Sequence, residues 1–215
     1  MKVKTKNLLI IGARGWGREV YDIFKDCQPF MGDLKCKGFL DDKKDALDCF
    51  NNYPPIISSV EDYLPQDDDV FICALGNPHW VKHYSSIIQQ KGGIFINLIH
   101  PTAILGTNSK LGYGDIVGSY ANISNDVNIG NFCVLSTKSG IGHDSSIGNY
   151  CHIGGLTNIS GKVEIDEEVT IHPGSNILPN IKIGKNSIIG AGSVVIKNIK
   201  PNTTVFGIPA KILNI

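Results

Sequence analysis

The chain has no excess of charge of either sign and no long apolar run. Its 20 Lys and Arg residues balance 20 Asp and Glu residues, so no basic surface for nucleic acid is expected. No apolar run approaches the ~20 residues of a membrane-spanning helix. Met1 to Lys6 are polar and lead into a short apolar strand, whereas a signal peptide needs a longer apolar stretch. These absences predict a cytoplasmic protein without a membrane span.

The six cysteines lie far apart and form no C-x-x-C pair. Zinc sites and small disulfide-bonded folds use cysteines at close, regular spacings. We therefore expect reduced thiols, with neither a metal cluster nor a disulfide framework. Apolar residues make up 42% of the chain, which is enough to form a buried core.

An aliphatic residue recurs at every sixth position of the second half of the chain. From Leu105 to Val195, all sixteen residues at this spacing are Leu, Ile or Val. Neither the α-helical period nor the strand period gives a strict repeat of six, whereas a triangular coil with one short strand per side does. The aliphatic side chains should fill this prism, and successive coils should stack through parallel strand pairing.

Two further positions of the repeat are restricted. The residue after the aliphatic one is often glycine, which we interpret as a need for backbone angles that a Cβ atom disfavours. The residue four positions after the aliphatic one is mostly small or β-branched, and should lie near a corner of the prism. Cys133 and Cys151 both occupy this position. They should therefore stack inside the core, which argues against a thiol nucleophile.

Strands and helices alternate in residues 1–98. Asn77 is predicted to cap the second helix, with Pro78 as its first residue. Helices are expected after the first and third of four predicted strands: Leu8–Ile11, Lys37–Leu40, Val70–Leu75 and Ile94–Asn97. This alternation indicates a parallel sheet with helices outside it. Ligands of such sheets bind at the carboxyl ends of the strands.

The segment Gly12-Ala13-Arg14-Gly15-Trp16-Gly17 joins the first strand to the first helix. Its backbone N–H groups and the helix dipole are suited to a phosphate, although a tight strand-to-helix turn would need the same glycines. The spacing is G-x-x-G-x-G, not the dinucleotide fingerprint G-x-G-x-x-G. An NAD-dependent enzyme would also need a second catalytic domain, and the repeat half offers no such scaffold.

Short segments in a specific order and spacing carry a resemblance to a known family: the glycine segment above, Phe39-Leu40-Asp41-Asp42, Leu75-Gly76-Asn77, Ile99-His100-Pro101-Thr102-Ala103, His143-Asp144, Cys151-His152, Ile177-Leu178-Pro179-Asn180 and Gly207-Ile208-Pro209-Ala210-Lys211. Essentially the whole chain resembles the hexapeptide-repeat sugar acyltransferases, typified by the bacillosamine-pathway and perosamine N-acetyltransferases and the sialic acid O-acetyltransferases. The resemblance implies a Rossmann-like α/β domain over residues 1–98. It also implies a left-handed parallel β-helix over residues 99–215.

The same resemblance implies acetyl-CoA as cosubstrate and a homotrimer with active sites between subunits. The N-terminal domain would hold a nucleotide-linked amino sugar. A sugar without a nucleotide, such as sialic acid, is the alternative acceptor. The residues that match the substrate contacts of the family are Arg14, Gly15, Trp16, Asp41, Asp42, Gly76 and Asn77.

His143 and Asp144 match the His–acid pair of this family. Acetyl transfer from a thioester needs a base for the proton of the nucleophile and donors for the oxyanion. His143 would be the base, Asp144 would orient it or raise its basicity, and the acceptor would attack directly without an acyl-enzyme. The match assigns four residues to acetyl-CoA: His152, Pro173, Gly161 and Ala191. The backbone N–H of Gly161 would be the oxyanion donor.

Ser136 departs from the family pattern, since many relatives have Asn seven residues before the histidine. Its shorter side chain suggests a different acceptor sugar. Three hypotheses remain: an N-acetyltransferase acting on a nucleotide-linked amino sugar, an acetyltransferase acting on a sugar hydroxyl, and a non-catalytic trimeric scaffold. The His143–Asp144 pair argues against the scaffold.

Overall fold

The computed structural model describes residues 6–213. Residues 1–5, which carry most of the polar start of the chain, and residues 214–215 lie outside the described residues. The chain divides into two compact units, Met1–Pro101 and Thr102–Ile215. Across residues 6–213, no helix is both long and apolar enough to cross a membrane.

Parallel strands alternate with helices in the described part of the N-terminal unit. The elements are β1 (Lys6–Ile11), α1 (Gly15–Cys27), a 3₁₀ turn (Gln28–Phe30), β2 (Leu34–Leu40), β3 (Ile56–Ser58), β4 (Asp69–Cys73), α2 (Pro78–Gln90), β5 (Ile94–Phe95) and β6 (Leu98–Ile99). The strands of the main sheet lie in the order β3-β2-β1-β4-β5, with all neighbours parallel. This confirms the predicted Rossmann-like sheet.

The helix cap predicted at Asn77 is present. Its side chain accepts a hydrogen bond from the backbone N–H of His79 at 2.9 Å, and α2 begins at Pro78. All four predicted strands form, although the third and fourth end earlier than predicted. β3 was not predicted, because its three residues are only partly buried and carry no recognisable periodicity.

The second unit is a prism of very short strands. From β7 to β21 each strand has two residues and ends at the aliphatic residue of a repeat. The strands are β7 (Ile104–Leu105), β8 (Ile116–Val117), β9 (Asn122–Ile123), β10 (Asn128–Ile129), β11 (Val134–Leu135), β12 (Gly140–Ile141), β13 (Ser146–Ile147), β14 (His152–Ile153), β15 (Asn158–Ile159), β16 (Glu164–Ile165), β17 (Thr170–Ile171), β18 (Asn176–Ile177), β19 (Lys182–Ile183), β20 (Ile188–Ile189), β21 (Val194–Val195), β22 (Thr204–Phe206) and β23 (Lys211–Ile212).

The strands stack in parallel into the faces of the prism. Val134 pairs with His152 and His152 with Thr170, so one coil takes 18 residues. We call the stack β8-β11-β14-β17-β20 the first face, β7-β9-β12-β15-β18-β21 the second face, and β10-β13-β16-β19 the third face. The chain visits them in that order. This is the architecture of the predicted left-handed parallel β-helix.

The interior of the prism is filled as predicted. Every aliphatic residue of the series is buried except Leu105 and Leu111 in the first coil. From Ala121 to Ser193 the residues four positions later are also buried, and most of the polar ones are hydrogen-bonded to the next coil. For example, the Ser175 hydroxyl donates to the Gly190 carbonyl at 2.9 Å. Cys133 and Cys151 are buried free thiols at this position.

Our interpretation of the repeated glycines was wrong. The left-handed backbone conformation occurs at every sixth residue from Asn108 to Gly192, three positions after the aliphatic residue. The glycines that directly follow the aliphatic residues do not have it. They are needed because the next coil is too close: a Cβ atom on Gly148 would lie 2.6 Å from the backbone nitrogen of Glu167.

Replacing Gly148 by alanine is therefore expected to lower the free energy of unfolding by roughly 1–3 kcal/mol, the usual cost of overpacking. Gly192 provides the matched control, since its φ is 67° but a Cβ atom there would meet nothing within 4 Å. Replacing Gly192 by alanine should lower the free energy of unfolding by only about 1 kcal/mol, the cost of a Cβ atom in the left-handed conformation. Urea unfolding of both variants shows which substitution lowers the free energy of unfolding more. Equal midpoints would contradict the steric explanation.

Candidate active site

His143 lies at the corner between the second and third faces, in the turn from β12 to β13. Its side chain is 63% exposed, and Nδ1 lies 2.8 Å from Oδ2 of Asp144. Asp144 is the left-handed residue of this corner, with φ 58°, a conformation that the short polar side chain of Asp tolerates. The corner therefore places an exposed imidazole next to a carboxylate, which is hydrogen-bonded to one of the two ring nitrogens.

Gly161 lies one coil beyond His143 at the same corner, and the imidazole covers it. A Cβ atom on Gly161 would lie 2.7 Å from Nε2 and 2.8 Å from Cε1 of His143. Any side chain at residue 161 would displace the ring. Because Nδ1 faces Asp144, Nε2 is the nitrogen that lies over the Gly161 backbone.

At the same corner a side chain to backbone hydrogen bond joins one coil to the next. The N–H of Thr107 donates to Oδ1 of Asn125 in the next coil at 3.1 Å. The residues one and two coils after His143 are Gly161 and Pro179, neither of which has a side-chain acceptor. The N–H groups of His143 and Gly161 therefore have no side-chain acceptor of this kind in the next coil.

The other three residues assigned to acetyl-CoA lie elsewhere on the prism. His152 is half-buried and begins β14 on the first face. Pro173 and Ala191 are exposed and occupy equivalent places in successive coils, at the corner between the first and second faces. The structure thus brings Pro173 and Ala191 together, but at a different corner from His143 and Gly161.

The N-terminal unit has a pocket of ≈ 470 Å³ at the carboxyl ends of β1, β2 and β4. Six of the seven predicted substrate contacts line it: Arg14, Trp16, Asp41, Asp42, Gly76 and Asn77. Gly15, the seventh, begins α1, between two of the lining residues. The sequence match therefore selected residues that the fold gathers in one place.

Asp41 shapes this pocket by holding the glycine segment. Its carboxylate is buried, and Oδ2 accepts the N–H of Ala13 at 2.8 Å while Oδ1 accepts the N–H of Lys43 at 2.9 Å. Gly17 packs directly on the Gly12 carbonyl, where no Cβ atom would fit. Asp42, the next residue, is exposed at the pocket. Asp42 is therefore the carboxylate better placed to meet a ligand.

Two pocket residues were missed from the sequence. Trp80 and Tyr84 of α2 line the pocket. The Tyr84 hydroxyl donates to Oδ2 of Asp42 at 2.9 Å. Burial and this bond raise the pKa of Tyr84 to about 12. Large aromatic residues one turn apart, directly after the Gly76–Asn77 loop, were the available signal.

Among residues 6–213, no group of three or more His, Cys, Asp or Glu side chains is arranged to hold a metal ion.

Comparison with known proteins finds relatives for both halves of the chain. Residues 7–86 match the PglD N-terminal domain, and residues 162–197 match the bacterial transferase hexapeptide repeats. A curated relative, UDP-N-acetylbacillosamine N-acetyltransferase of Bacillus subtilis, is 30% identical over 116 residues, which are 52% of this chain and 51% of that protein. The uncharacterized protein L142 of Acanthamoeba polyphaga mimivirus is 29% identical over 59% of this chain and 24% of its own length. The chain thus spans about half or less of these curated relatives.

Solved structures match over nearly the whole chain. The acetyltransferase domain of PglB from Neisseria gonorrhoeae has a TM-score of 0.87 at 26% identity, covering 97% of this chain and all of that one. PerB from Caulobacter crescentus, solved with CoA and GDP-perosamine, has a TM-score of 0.88 at 24% identity, with both chains fully covered. These likenesses confirm the predicted fold class in both halves.

Proposed function

We propose that this chain is a hexapeptide-repeat sugar acyltransferase with a PglD-type N-terminal domain, and that it transfers the acetyl group of acetyl-CoA to the amine of a nucleotide-linked amino sugar. The observation that carries the proposal is the exposed His143–Asp144 pair, with Nε2 lying over Gly161 beside backbone N–H groups that have no side-chain acceptor in the next coil. The pocket lined by Arg14 and Asp42 supplies a place for the nucleotide.

In the proposed reaction His143 acts as a general base through Nε2. Asp144 accepts a hydrogen bond from Nδ1–H, which leaves the Nε2 lone pair free to take a proton from the acceptor amine as its nitrogen attacks the thioester carbonyl. The N–H groups of Gly161 and His143 stabilise the oxyanion of the tetrahedral intermediate. The carbon–sulfur bond then breaks, and the imidazolium returns the proton to the CoA sulfur. No acyl-enzyme forms.

The separation of the candidate residues supports a homotrimer. His143 and Gly161 lie at one corner of the prism, and Pro173 and Ala191 at another, so one chain does not gather them at a single corner. Side-by-side packing of prisms would set one corner of a subunit against a different corner of its neighbour. We infer that acetyl-CoA lies in this groove and that its thioester reaches His143 of the adjoining subunit.

The acceptor class is supported by the relatives. The Bacillus subtilis relative is named for N-acetylation of a UDP-linked sugar, and PerB was solved with a GDP-linked amino sugar. We infer that the N-terminal pocket of this chain holds the nucleotide of a comparable acceptor. The pocket volume of ≈ 470 Å³ lies in the usual range for small-molecule sites.

A substrate panel tests the proposal. UDP-, GDP- and dTDP-linked amino sugars are each incubated with acetyl-CoA, and release of the CoA thiol is followed. Turnover of at least one amino sugar is expected. Turnover of free sialic acid alone would replace the proposal by the O-acetyltransferase. Binding of acetyl-CoA without turnover of any sugar, unchanged in His143→Ala, would favour the scaffold.

Replacing Asp144 by asparagine is expected to lower kcat by about 10-fold with little change in KM. Asparagine fits the left-handed conformation and can still accept from Nδ1, but it removes the negative charge that stabilises the imidazolium. Asp126 is the matched control, since it lies one coil earlier at the same corner with φ 60°. Asp126→Asn should leave kcat unchanged. Equal effects of both substitutions would remove Asp144 from the mechanism.

A further inference from the structure

The corner between the first and second faces changes in character along the prism. Its left-handed positions hold, in successive coils, Tyr120, Lys138, Leu156, Gly174 and Gly192. Within 4 Å, a Cβ atom on Gly174 would approach only the backbone of Gly192, at 3.9 Å, and one on Gly192 would meet nothing. We call the stretch from Gly174 to Gly192 the bare corner. Leu156 is the last large side chain before it.

Leu156 has a backbone conformation that is unfavourable for its residue type. Its φ is 59°, in the left-handed region that glycine, Asn and Asp occupy most readily. Phe132 has the same conformation, but it is buried and stacks on Tyr150 with ring centroids 5.4 Å apart. Leu156 is instead 67% exposed, so burial within its own subunit offsets little of the strain. Strained residues of this kind cluster at functional sites.

Leu156 lies at the same height along the prism as the reactive nitrogen of the candidate site. Residues 18 apart pair in register, so the coil fixes the height of a residue. Leu156 and Gly161 belong to one coil, and Nε2 of His143 reaches this coil, because it would lie 2.7 Å from a Cβ atom on Gly161. A trimer closed about an axis parallel to the prisms keeps this height in every subunit. Leu156 of one subunit would then face the His143 corner of its neighbour.

The order of residues along this corner gives the acyl group its direction. Pro173 and Ala191, which the family match assigns to acetyl-CoA, directly precede Gly174 and Gly192. The pantetheine arm would therefore lie along the bare corner, with its acyl group pointing toward Leu156. The isobutyl side chain of Leu156 offers an apolar surface to a methyl group and takes up the space that a longer acyl chain would need.

We propose that Leu156 of the adjoining subunit closes the acyl-CoA groove opposite His143 and limits the transferred group to acetyl. Further methylene groups on the acyl chain would collide with the Leu156 side chain, and one misfitted methylene group already changes selectivity by about 10-fold or more. Leu156 is thus a specificity-determining residue that touches the acyl group and moves no proton. This inference rests on the proposed function, because it takes the groove between two prisms to be the acyl-CoA site.

Calorimetric titration with acetyl-CoA and butyryl-CoA tests the inference without an acceptor sugar. The wild type should bind acetyl-CoA about 10-fold or more tightly than butyryl-CoA. Leu156→Gly should remove most of this preference by strengthening the binding of butyryl-CoA. The variant should fold, because glycine fits the left-handed conformation and the leucine side chain is mostly exposed.

Tyr120→Gly is the matched control. Tyr120 has the same conformation at the same corner and is 62% exposed, but it lies two coils from Leu156, so its replacement should keep the preference for acetyl-CoA. The inference is overturned if the wild type binds both thioesters equally, if Leu156→Gly keeps the preference, or if Tyr120→Gly loses it to the same extent. Failure of both thioesters to bind would refute the proposed function as well. The expected binding pattern without acetylation of any amino sugar would refute only the proposed acceptor.

Thiol crosslinking tests whether Leu156 faces a neighbouring subunit. Lys162 directly follows Gly161, is exposed, and lies in the same coil as Leu156. In a chain whose exposed Cys49 is replaced by serine, Leu156→Cys and Lys162→Cys together should give covalent dimers and trimers with a short bismaleimide. Either cysteine substitution alone should give far fewer. If the double variant forms no more covalent oligomer than the single variants, the inference is overturned.

Discussion

Replacing His143 by alanine is expected to lower kcat by about 100-fold or more, the range for loss of a general base. Nε2 of His143 is the proton acceptor of the proposed reaction, and Asp144 already occupies Nδ1. The side chain is 63% exposed, so its removal leaves no buried cavity and the β-helix should keep its stability. The measurement is steady-state release of the CoA thiol. Acetyl-CoA binding is measured by calorimetry in parallel.

Two results separate a catalytic role for His143 from a structural one. Acetyl-CoA affinity and the melting temperature should stay close to wild type in His143→Ala. Gly161→Ala keeps the imidazole but should displace it, because its Cβ atom would lie 2.7 Å from Nε2; its kcat should fall as well. Wild-type turnover by His143→Ala would remove the residue from the mechanism.

Asp115 is expected to make the β-helix less stable at pH 8 than at pH 5. Its carboxylate is fully buried at the prism position later occupied by Cys133, whose N–H donates to Oδ1 at 2.8 Å. Burial raises the pKa of Asp115 from its ordinary 3.8 to about 7. Its contribution to stability is therefore complete below about pH 4, falls as the pH rises, and is lost above about pH 7. The full change, from below about pH 4 to above about pH 7, corresponds to roughly 4 kcal/mol, and the part between pH 5 and pH 8 is smaller.

Asp115→Asn tests this expectation, because asparagine resembles the protonated acid and does not ionise. Urea midpoints of both proteins are compared at pH 5 and pH 8. The variant should gain stability over the wild type at pH 8 and much less at pH 5. Asp166→Asn replaces an exposed carboxylate. Its urea midpoint should change between pH 5 and pH 8 by as much as that of the wild type. A pH-independent difference between wild type and Asp115→Asn would show that the buried carboxylate does not titrate in this range.

The repeat was predicted from sequence because a period of six allows few solutions. Once Leu105 to Val195 are taken as inward residues, the 18-residue coil follows, and with it the alignment of His143 with Gly161 and of Pro173 with Ala191. The glycines were different. Their positions in the repeat were identified correctly. The reason that glycine is needed there is the short distance between coils. That distance depends on how the backbones stack, and the spacing of residues in the sequence does not show it.

For the candidate site, too, the sequence predicted one part and missed another. Matching short segments placed Arg14, Asp42 and Asn77 together, because the carboxyl ends of neighbouring parallel strands must meet at one edge of the sheet. The matching of short segments did not distinguish the role of Asp41 from that of Asp42. That distinction depends on which carboxylate the backbone of the glycine segment occupies, and adjacent residues of one chemical type cannot be told apart by composition.

The sequence alone determined the two architectures and the order of their elements, because hydrophobic period and turn residues act locally and repeat along the chain. Only the tertiary structure decided that the imidazole of His143 covers Gly161 and that Tyr84 reaches Asp42. These contacts join residues that are distant in sequence. Their geometry depends on side-chain direction and on the spacing between coils and between helix and sheet, which no periodicity encodes.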